Sequence, residues 1–343
     1  MRRLGYLPAL DGVRGVAIAL VIATHYWGIP GGGPLGVGLF FVLSGFLITT
    51  LLLEELDLGR LDLKGFYARR CRRLLPALAL LLTVYVVVRG GPGLRVAALA
   101  GLYAGNIVQA VWPASPITGS ALAHLWSLAQ EEQFYLVWPV LLGLLARSRR
   151  LLAILCALTV ALIAYRAAIA SSGTLNASRT YAPDFHSDWL LAGAVLAVLR
   201  RRGVQWNEAA ALGAFVIIFV GAILNPWTEA WFVWQAPIFM AGCALLVGAA
   251  HSPTQMAGLL SLRPLVLLGR ISYSLYLWHV PVFAALGYRQ PLFALPISLA
   301  AAGLSYRFVE QPFRRRRMGG GRAAPTPAIP GPLAVVNAAP KSS

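Results

Sequence analysis

The chain has 343 residues, of which 58% are hydrophobic and 12% charged, about half the roughly 25% charged share of an ordinary soluble domain. That leaves too little polar surface for a water-soluble fold, and apolar segments recurring from residue 9 to about 311 exclude a pair of soluble domains. The formal net charge of +17, from 29 Lys and Arg against 12 Asp and Glu, is carried almost wholly by Arg beside the ends of apolar segments. This placement suits a lipid headgroup layer and speaks against nucleic acid as a partner, which would want basic residues along one face among aromatics.

Runs of about the 20 apolar residues that a helix needs to cross a bilayer fall near 9–28, 36–53, 74–89, 94–112, 126–146 and 150–170, then near 185–199, 207–225, 231–250, 265–287 and 291–311. Turn signals such as Gly90-Gly91-Pro92, Asn225-Pro226 and Gln290-Pro291 separate several of them. The predicted fold is all-α and polytopic. The positive-inside rule puts Arg2/Arg3, the Arg60–Arg73 stretch read as a loop, Arg147–Arg150, Arg200–Arg202, Arg263 and Arg314–Arg317 in the cytoplasm, with both termini. An even number of crossings must then precede Arg147, but five candidates do. One of the two between 74 and 112, short or interrupted by Gly, is therefore expected to be re-entrant or a surface helix, leaving about ten crossings. This bookkeeping places His25 and the 120–132 region toward the outer side of a cell membrane.

The predicted membrane domain covers 1–317, and the Gly/Pro/Ala-rich stretch 318–343 reads as a disordered cytoplasmic tail. Asp11 and Arg14 interrupt the first apolar run, so it is expected to be a retained span and not a cleaved leader. Cys71, Cys156 and Cys243 are far apart and odd in number, which supports neither a disulfide framework nor a metal site.

Ionisable side chains within apolar spans cost roughly 2.5–3.5 kcal/mol each on insertion scales, so each is a candidate for function. The first span has three. Asp11, Arg14 and His25 share a helix face, and the eleven residues from Arg14 to His25 correspond to about three turns and 16 Å of rise. The plainer alternative is an Asp11–Arg14 pair with an interfacial histidine. A second cluster, His124-Leu-Trp-Ser127-Leu-Ala-Gln-Glu131-Glu132-Gln-Phe-Tyr135, puts His124, Ser127 and Glu131 on one face of a helix. Its adjacent carboxylates are suited to proton transfer or to holding a histidine tautomer; the alternative is a helix start with acidic residues at its amino end. The basic segment with Arg69, Arg70, Arg72 and Arg73 suits bidentate phosphate recognition, or ordinary headgroup anchoring. Late in the chain, Ser272, Tyr273, Ser274, Tyr276 and His279 put hydroxyls and an imidazole on an apolar helix, suited to a hydroxylated guest or to interhelical hydrogen bonds. A last polar segment carries Tyr306, Arg307 and Glu310.

Together these segments resemble the acyltransferase family 3 membrane proteins, bacterial O-acetyltransferases of envelope and secreted glycans among them. The resemblance runs from about Leu7 to Arg315. It is carried by Leu10-Asp11-Gly12-Val13-Arg14-Gly15 with His25 eleven residues beyond Arg14, Gly36-Val37-Gly38-Leu39-Phe40-Phe41-Val42-Leu43-Ser44-Gly45-Phe46, the Arg69/Arg70/Arg73/Pro76 segment, Trp126-Ser127 through Tyr135, and Ile271-Ser272-Tyr273 through His279. It implies transfer of an acyl group, often acetyl, from cytoplasmic acyl-CoA as donor substrate, with no bound cofactor, to a hydroxyl of a saccharide, lipid-linked sugar or glycoside acceptor. His25 matches the family's catalytic histidine and Arg14 the arginine beside it. Glu131, Glu132 and Ser127 match the motif on the acceptor or proton-transfer side. Arg69, Arg70 and Arg73 match the basic motif near the donor. Some members carry a further carboxyl-terminal esterase-like domain, and without one this membrane domain is expected to act alone or to pass its acyl group to a separate extracytoplasmic protein.

The resulting expectation has acyl-CoA phosphates on Arg69, Arg70 and Arg73, and Arg14 and His25 aimed into one shared cavity. His25 acts as base or acyl carrier, with Glu131 orienting the imidazole; Asp11, Ser44, His124, Ser127, Glu132, Tyr135, Tyr273, His279 and Glu310 complete the substrate site. The rival reading is a transporter of an acyl or glycan-lipid intermediate, with the same charges lining a pathway.

Overall fold

Pro8 opens the first helix, α1 (Pro8–Trp27), where its preset φ helps and its missing amide costs nothing. Gly28, at φ 70°, closes it, and the amides of Gly28 and Ile29 return to the carbonyls of Thr24 and Ala23. The computed structural model describes residues 4–224, 228–287 and 290–315, with the side chains of Ala177, Arg314 and Arg315 excepted. The expected tail 318–343 lies outside the described residues, as do Arg2, Arg3, Asn225, Pro226, Arg316 and Arg317.

The helices that follow are α2 (Gly32–Asp57), α3 (Leu63–Arg89), α4 (Gly91–Gly101), α5 (Gly105–Val111), α6 (Trp126–Leu145), α7 (Leu151–Ser171) and α8 (Ser187–Arg201). Then come α9 (Glu208–Ile223), α10 (Ala236–Ala250), α11 (Gln255–Leu260), α12 (Arg263–Ala285), α13 (Pro291–Leu304) and α14 (Gln311–Arg315). Short 3-10 turns at Ala123–Leu125 and Ala177–Tyr181 precede α6 and α8, and π-helical turns at Trp231–Gln235 and Ser305–Glu310 precede α10 and α14. The described residues contain no strand, as the all-α expectation requires.

The count of ten crossings resolves more coarsely. Among the described residues, 6 segments qualify by length and composition: α1, α2, α3, α7, Trp231–Ala250 and Pro291–Phe313. α6 and α12 have the length, 20 and 23 residues, but carry Glu131 and Glu132, and Arg263 and Arg270. α8 and α9 have only 15 and 16 residues. The 94–112 candidate is a broken element, α4 and α5 meeting at a bend of 104°. Limbs of about 17 and 11 Å at that angle do not reach across a hydrocarbon core of about 30 Å. The 74–89 candidate is, by contrast, the second part of the continuous α3. The Arg60–Arg73 stretch is accordingly helical from Leu63 onward and not a loop; the Asp62 carboxylate caps it by accepting from the Gly65 amide.

The bend between α4 and α5 is held from α6. Tyr103 takes the left-handed conformation there (φ 54°). Its carbonyl accepts from Gln133 Nε2 at 2.8 Å, and the Asn106 and Gln133 amides pair reciprocally at 3.1 and 2.9 Å. Asn106 is fully buried.

Backbones approach closely where α1, α2, α8 and α12 meet. A Cβ on Gly45 of α2 would lie 2.0 Å from the Leu190 carbonyl of α8, and one on Gly193 of α8 would lie 2.1 Å from that of Val42. Gly269 of α12 faces Asp11 in the same way, at 1.7 Å. Such glycine contacts replace side-chain volume with van der Waals contact between helices. α1 and α12 run parallel, Gly15 lying against Leu265 and His25 against His279. Ion pairs tie several basic stretches together at the end where α1 begins. Arg69 meets Glu55, Arg200 meets Glu54, Arg201 meets Asp57, and the Leu4 amide also donates to Glu54.

Candidate active site

Two cavities lie along α1. One, of about 330 Å³, is lined by Arg14, Ser44, Arg69, Arg70, Arg73, Ser127, Glu131, Glu132, Tyr135 and Tyr273. The other, of about 400 Å³, is lined by His25, His124, Trp126, Arg166, Tyr181, His186, Trp189 and Trp231. Val37, Phe41 and Tyr276 border both. Arg14 and His25, expected in one shared cavity, thus line two cavities that have Val37, Phe41 and Tyr276 in common, set apart by ~16 Å of helix rise.

In the arginine-lined chamber each cation already holds a partner. Arg14 pairs with Asp11 at 2.7 Å and Arg69 with Glu55 at 3.0 Å. Arg70 pairs with Glu132 and lies flat on Tyr135, its Cζ 3.3 Å from the ring centroid. A guanidinium has five N–H donors and one carboxylate uses at most two, so these groups keep capacity for a phosphate. Glu131 accepts from Ser44 Oγ and, at 2.5 Å, from the Tyr135 hydroxyl. That corrects the expected Glu131–His25 contact: one turn of α6 past Ser127, the carboxylate opens into the other chamber. Ser127, Glu132, Tyr135, Ser44 and Tyr273 go with it. Asp11 serves as Arg14's counterion and Glu310, bonded to Ser274 at 3.3 Å, is buried away from both chambers.

In the histidine-lined chamber the backbone chooses the tautomer of His25. A carbonyl only accepts, so the 2.8 Å contact between Nδ1 and the Val21 carbonyl fixes the proton on Nδ1. Nε2 therefore carries the lone pair, on an exposed ring that opens into the cavity. His279 packs edge-on against it at 5.0 Å between centroids and against His124 at 5.1 Å. His279 Nδ1 donates to the Tyr276 carbonyl at 2.7 Å and His124 Nε2 to the same carbonyl at 3.0 Å. Tyr276 also joins the chambers: its hydroxyl accepts from Ser127 Oγ and donates to the His124 carbonyl, both at 2.6 Å. Among the described residues no group of three or more His, Cys, Asp or Glu has metal-holding geometry.

Participants not singled out from the sequence include Arg166 and its partner Asp188, Tyr181, His186, Trp189 and Trp231 in the histidine-lined chamber, and Gln133 as the anchor of the α4–α5 bend. Arg166 is a lone cation in the apolar helix α7, a signal of the kind that marked Arg14.

Long apolar helices, a basic chamber and a histidine chamber among the described residues are the features expected of a membrane-bound acyltransferase. The chain belongs to acyltransferase family 3: the family's "Acyltransferase domain" model matches residues 7–308. It is 31% identical over 350 residues to the peptidoglycan O-acetyltransferase OatA of Listeria monocytogenes, covering 90% of this chain and 56% of that protein. It is also 31% identical over 350 residues to the O-acetyltransferase OatA of Staphylococcus aureus strain NCTC 8325, covering 91% and 58%. This chain therefore spans somewhat over half the length of these curated relatives. No solved structure matches it at a significant level.

Proposed function

We propose that the chain transfers an acyl group, acetyl in the first instance, from acyl-CoA in the arginine-lined chamber to a hydroxyl of a glycan acceptor in the histidine-lined chamber. The observation that carries this is the His25 tautomer: an unprotonated Nε2 in a cavity that has lining residues in common with the one holding a cluster of guanidinium groups. The acceptor hydroxyl gives its proton to Nε2 as its oxygen attacks the thioester carbonyl. The carbon–sulfur bond breaks, the electron pair leaves with sulfur, and the thiolate takes up the proton, releasing free CoA thiol and an ester. Arg14, Arg69, Arg70 and Arg73 hold the donor's phosphates. The donor side is the cytoplasmic one, with both termini there, because Arg69–Arg73 and Arg200–Arg201 gather at that end of the bundle and cytoplasmic loops are the arginine-rich ones. The ten-crossing topology fits this orientation, with α6, α8, α9 and α12 as the remaining crossings and the bent α4–α5 pair re-entrant. The glycan acceptor accords with the names of the relatives, peptidoglycan O-acetyltransferase among them.

The test is release of thiol from acetyl-CoA by the purified full chain in detergent, with and without oligomers of β-linked N-acetylglucosamine. Acceptor-dependent thiol and an acetylated product are expected, both abolished in His25→Ala. A folded His25→Ala protein with wild-type turnover refutes the proposal, and transport of an acyl or glycan lipid without thiol release would mark the chain as a transporter.

A further inference from the structure

Beyond His25, the histidine-lined chamber contains a charged pair with open hydrogen-bonding positions. Arg166, 1% exposed, stands in the otherwise apolar α7 and lines this chamber. It donates through Nη1 to Asp188 Oδ2 and through Nε to the Phe232 carbonyl at 3.4 Å. Arg166 Nη2 and Asp188 Oδ1 are both buried without a partner. An unmet buried donor or acceptor is destabilising, so a guest that supplies the missing partner is stabilised at this pair. Around it stand the aromatic rings of Trp126, Tyr181, Trp189 and Trp231. Trp189 is admitted to its place by Gly38, where a Cβ would lie 2.2 Å from the indole Cζ3.

We infer that Arg166, held by Asp188, is the acceptor-reading residue of the chamber and that the acceptor is a neutral hexopyranoside; this rests on the acyl-transfer reading above. The chemistry selects that class. Aromatic rings cover the C–H faces of a sugar, and a cavity of about 400 Å³ falls within the usual range of about 300–1,000 Å³ for small-molecule sites. Asp188 already balances the guanidinium charge, so Nη2 offers one hydrogen bond to a neutral oxygen, a hydroxyl or an acetamido carbonyl, and no net positive charge for a carboxylate or phosphate. The acceptor hydroxyl presented to His25 Nε2 belongs to the same ring or to the next one along the glycan.

The experiment measures quenching of tryptophan fluorescence by the tetramer of β-1,4-linked N-acetylglucosamine, alongside acetyl transfer to it, on the full chain in detergent. Arg166→Lys keeps the charge pair but loses the second planar nitrogen. Arg166→Met/Asp188→Leu replaces the buried pair by apolar groups of similar volume, a change that proteins tolerate. In both, the tetramer Kd and KM are expected to rise about tenfold, the value of one charge-assisted hydrogen bond, while the acetyl-CoA Kd stays within about twofold. Folded variants with the wild-type tetramer Kd and KM overturn the inference and leave the acyl-transfer reading standing. Arg166-dependent tetramer binding by a wild type that moves no acetyl group overturns the acyl-transfer reading alone. A wild type that neither binds nor acetylates the tetramer, or that prefers a carboxylated sugar such as N-acetylneuraminic acid, overturns the neutral-sugar assignment.

Discussion

Gln133→Leu should loosen the bent α4–α5 element, by an amount that the hydrogen bonds set. The substitution removes three contacts, the reciprocal pair with Asn106 and the donation to the Tyr103 carbonyl, and leaves the fully buried Asn106 amide with neither partner. Hydrogen bonds between helices in membrane proteins average about 0.6 and reach about 1.7 kcal/mol, and an abandoned buried amide adds to that. The expected loss is about 3 kcal/mol. Asn106→Leu breaks two of the same contacts and should cost about 2 kcal/mol. In the double variant Asn106→Leu/Gln133→Leu the orphaned amide is gone, so the total should be about 3 instead of 5 kcal/mol, a coupling of about 2 kcal/mol. Equilibrium unfolding of the purified variants in mixed detergent–SDS micelles measures all three. Additive losses, with coupling below about 0.5 kcal/mol, would refute the view that these amides hold the bend as a pair.

Gly269→Ala, placing a methyl 1.7 Å from the Asp11 carbonyl, should abolish recovery of monodisperse protein, whereas Gly213→Ala, with open space around it, should raise stability by up to about 1 kcal/mol; size-exclusion profiles and melting curves compare them. Arg70→Lys loses the fork on Glu132 and the stack on Tyr135, and the KM for acetyl-CoA should rise about tenfold, with kcat changed much less. Tyr276→Phe removes the hydroxyl between Ser127 and His124; kcat should fall about tenfold, for roughly 1.4 kcal/mol, with acetyl-CoA affinity unchanged by calorimetry.

The amphipathic and apolar periodicities that form helices are local, and so the helices were legible in the sequence: α1, α2, α7 and the span 231–250 fall close to where the apolar runs put them. Charge parity pointed to 74–112 as holding one helix too many, and within that stretch α4 and α5 meet at a bend of 104°. Local pattern does not report which way a side chain turns once helices pack. Glu131 and His124 share a face by spacing, yet α6 begins from a 3-10 turn at Ala123–Leu125, and the change of pitch delivers His124 to one chamber and Glu131 to the other. For the same reason Asp188 as Arg166's counterion was out of reach, because 22 residues and a reversal of direction separate them. The motif residues themselves converge: Arg14, Ser44, Arg70, Ser127, Glu132 and Tyr273 come from five helices and meet around one space.

Val37, Phe41 and Tyr276, the side chains that line both chambers, mark the place where the two meet. In the proposed reaction these three side chains stand where the acceptor oxygen and the thioester must meet, so their packing sets how wide a gap the two-carbon fragment crosses.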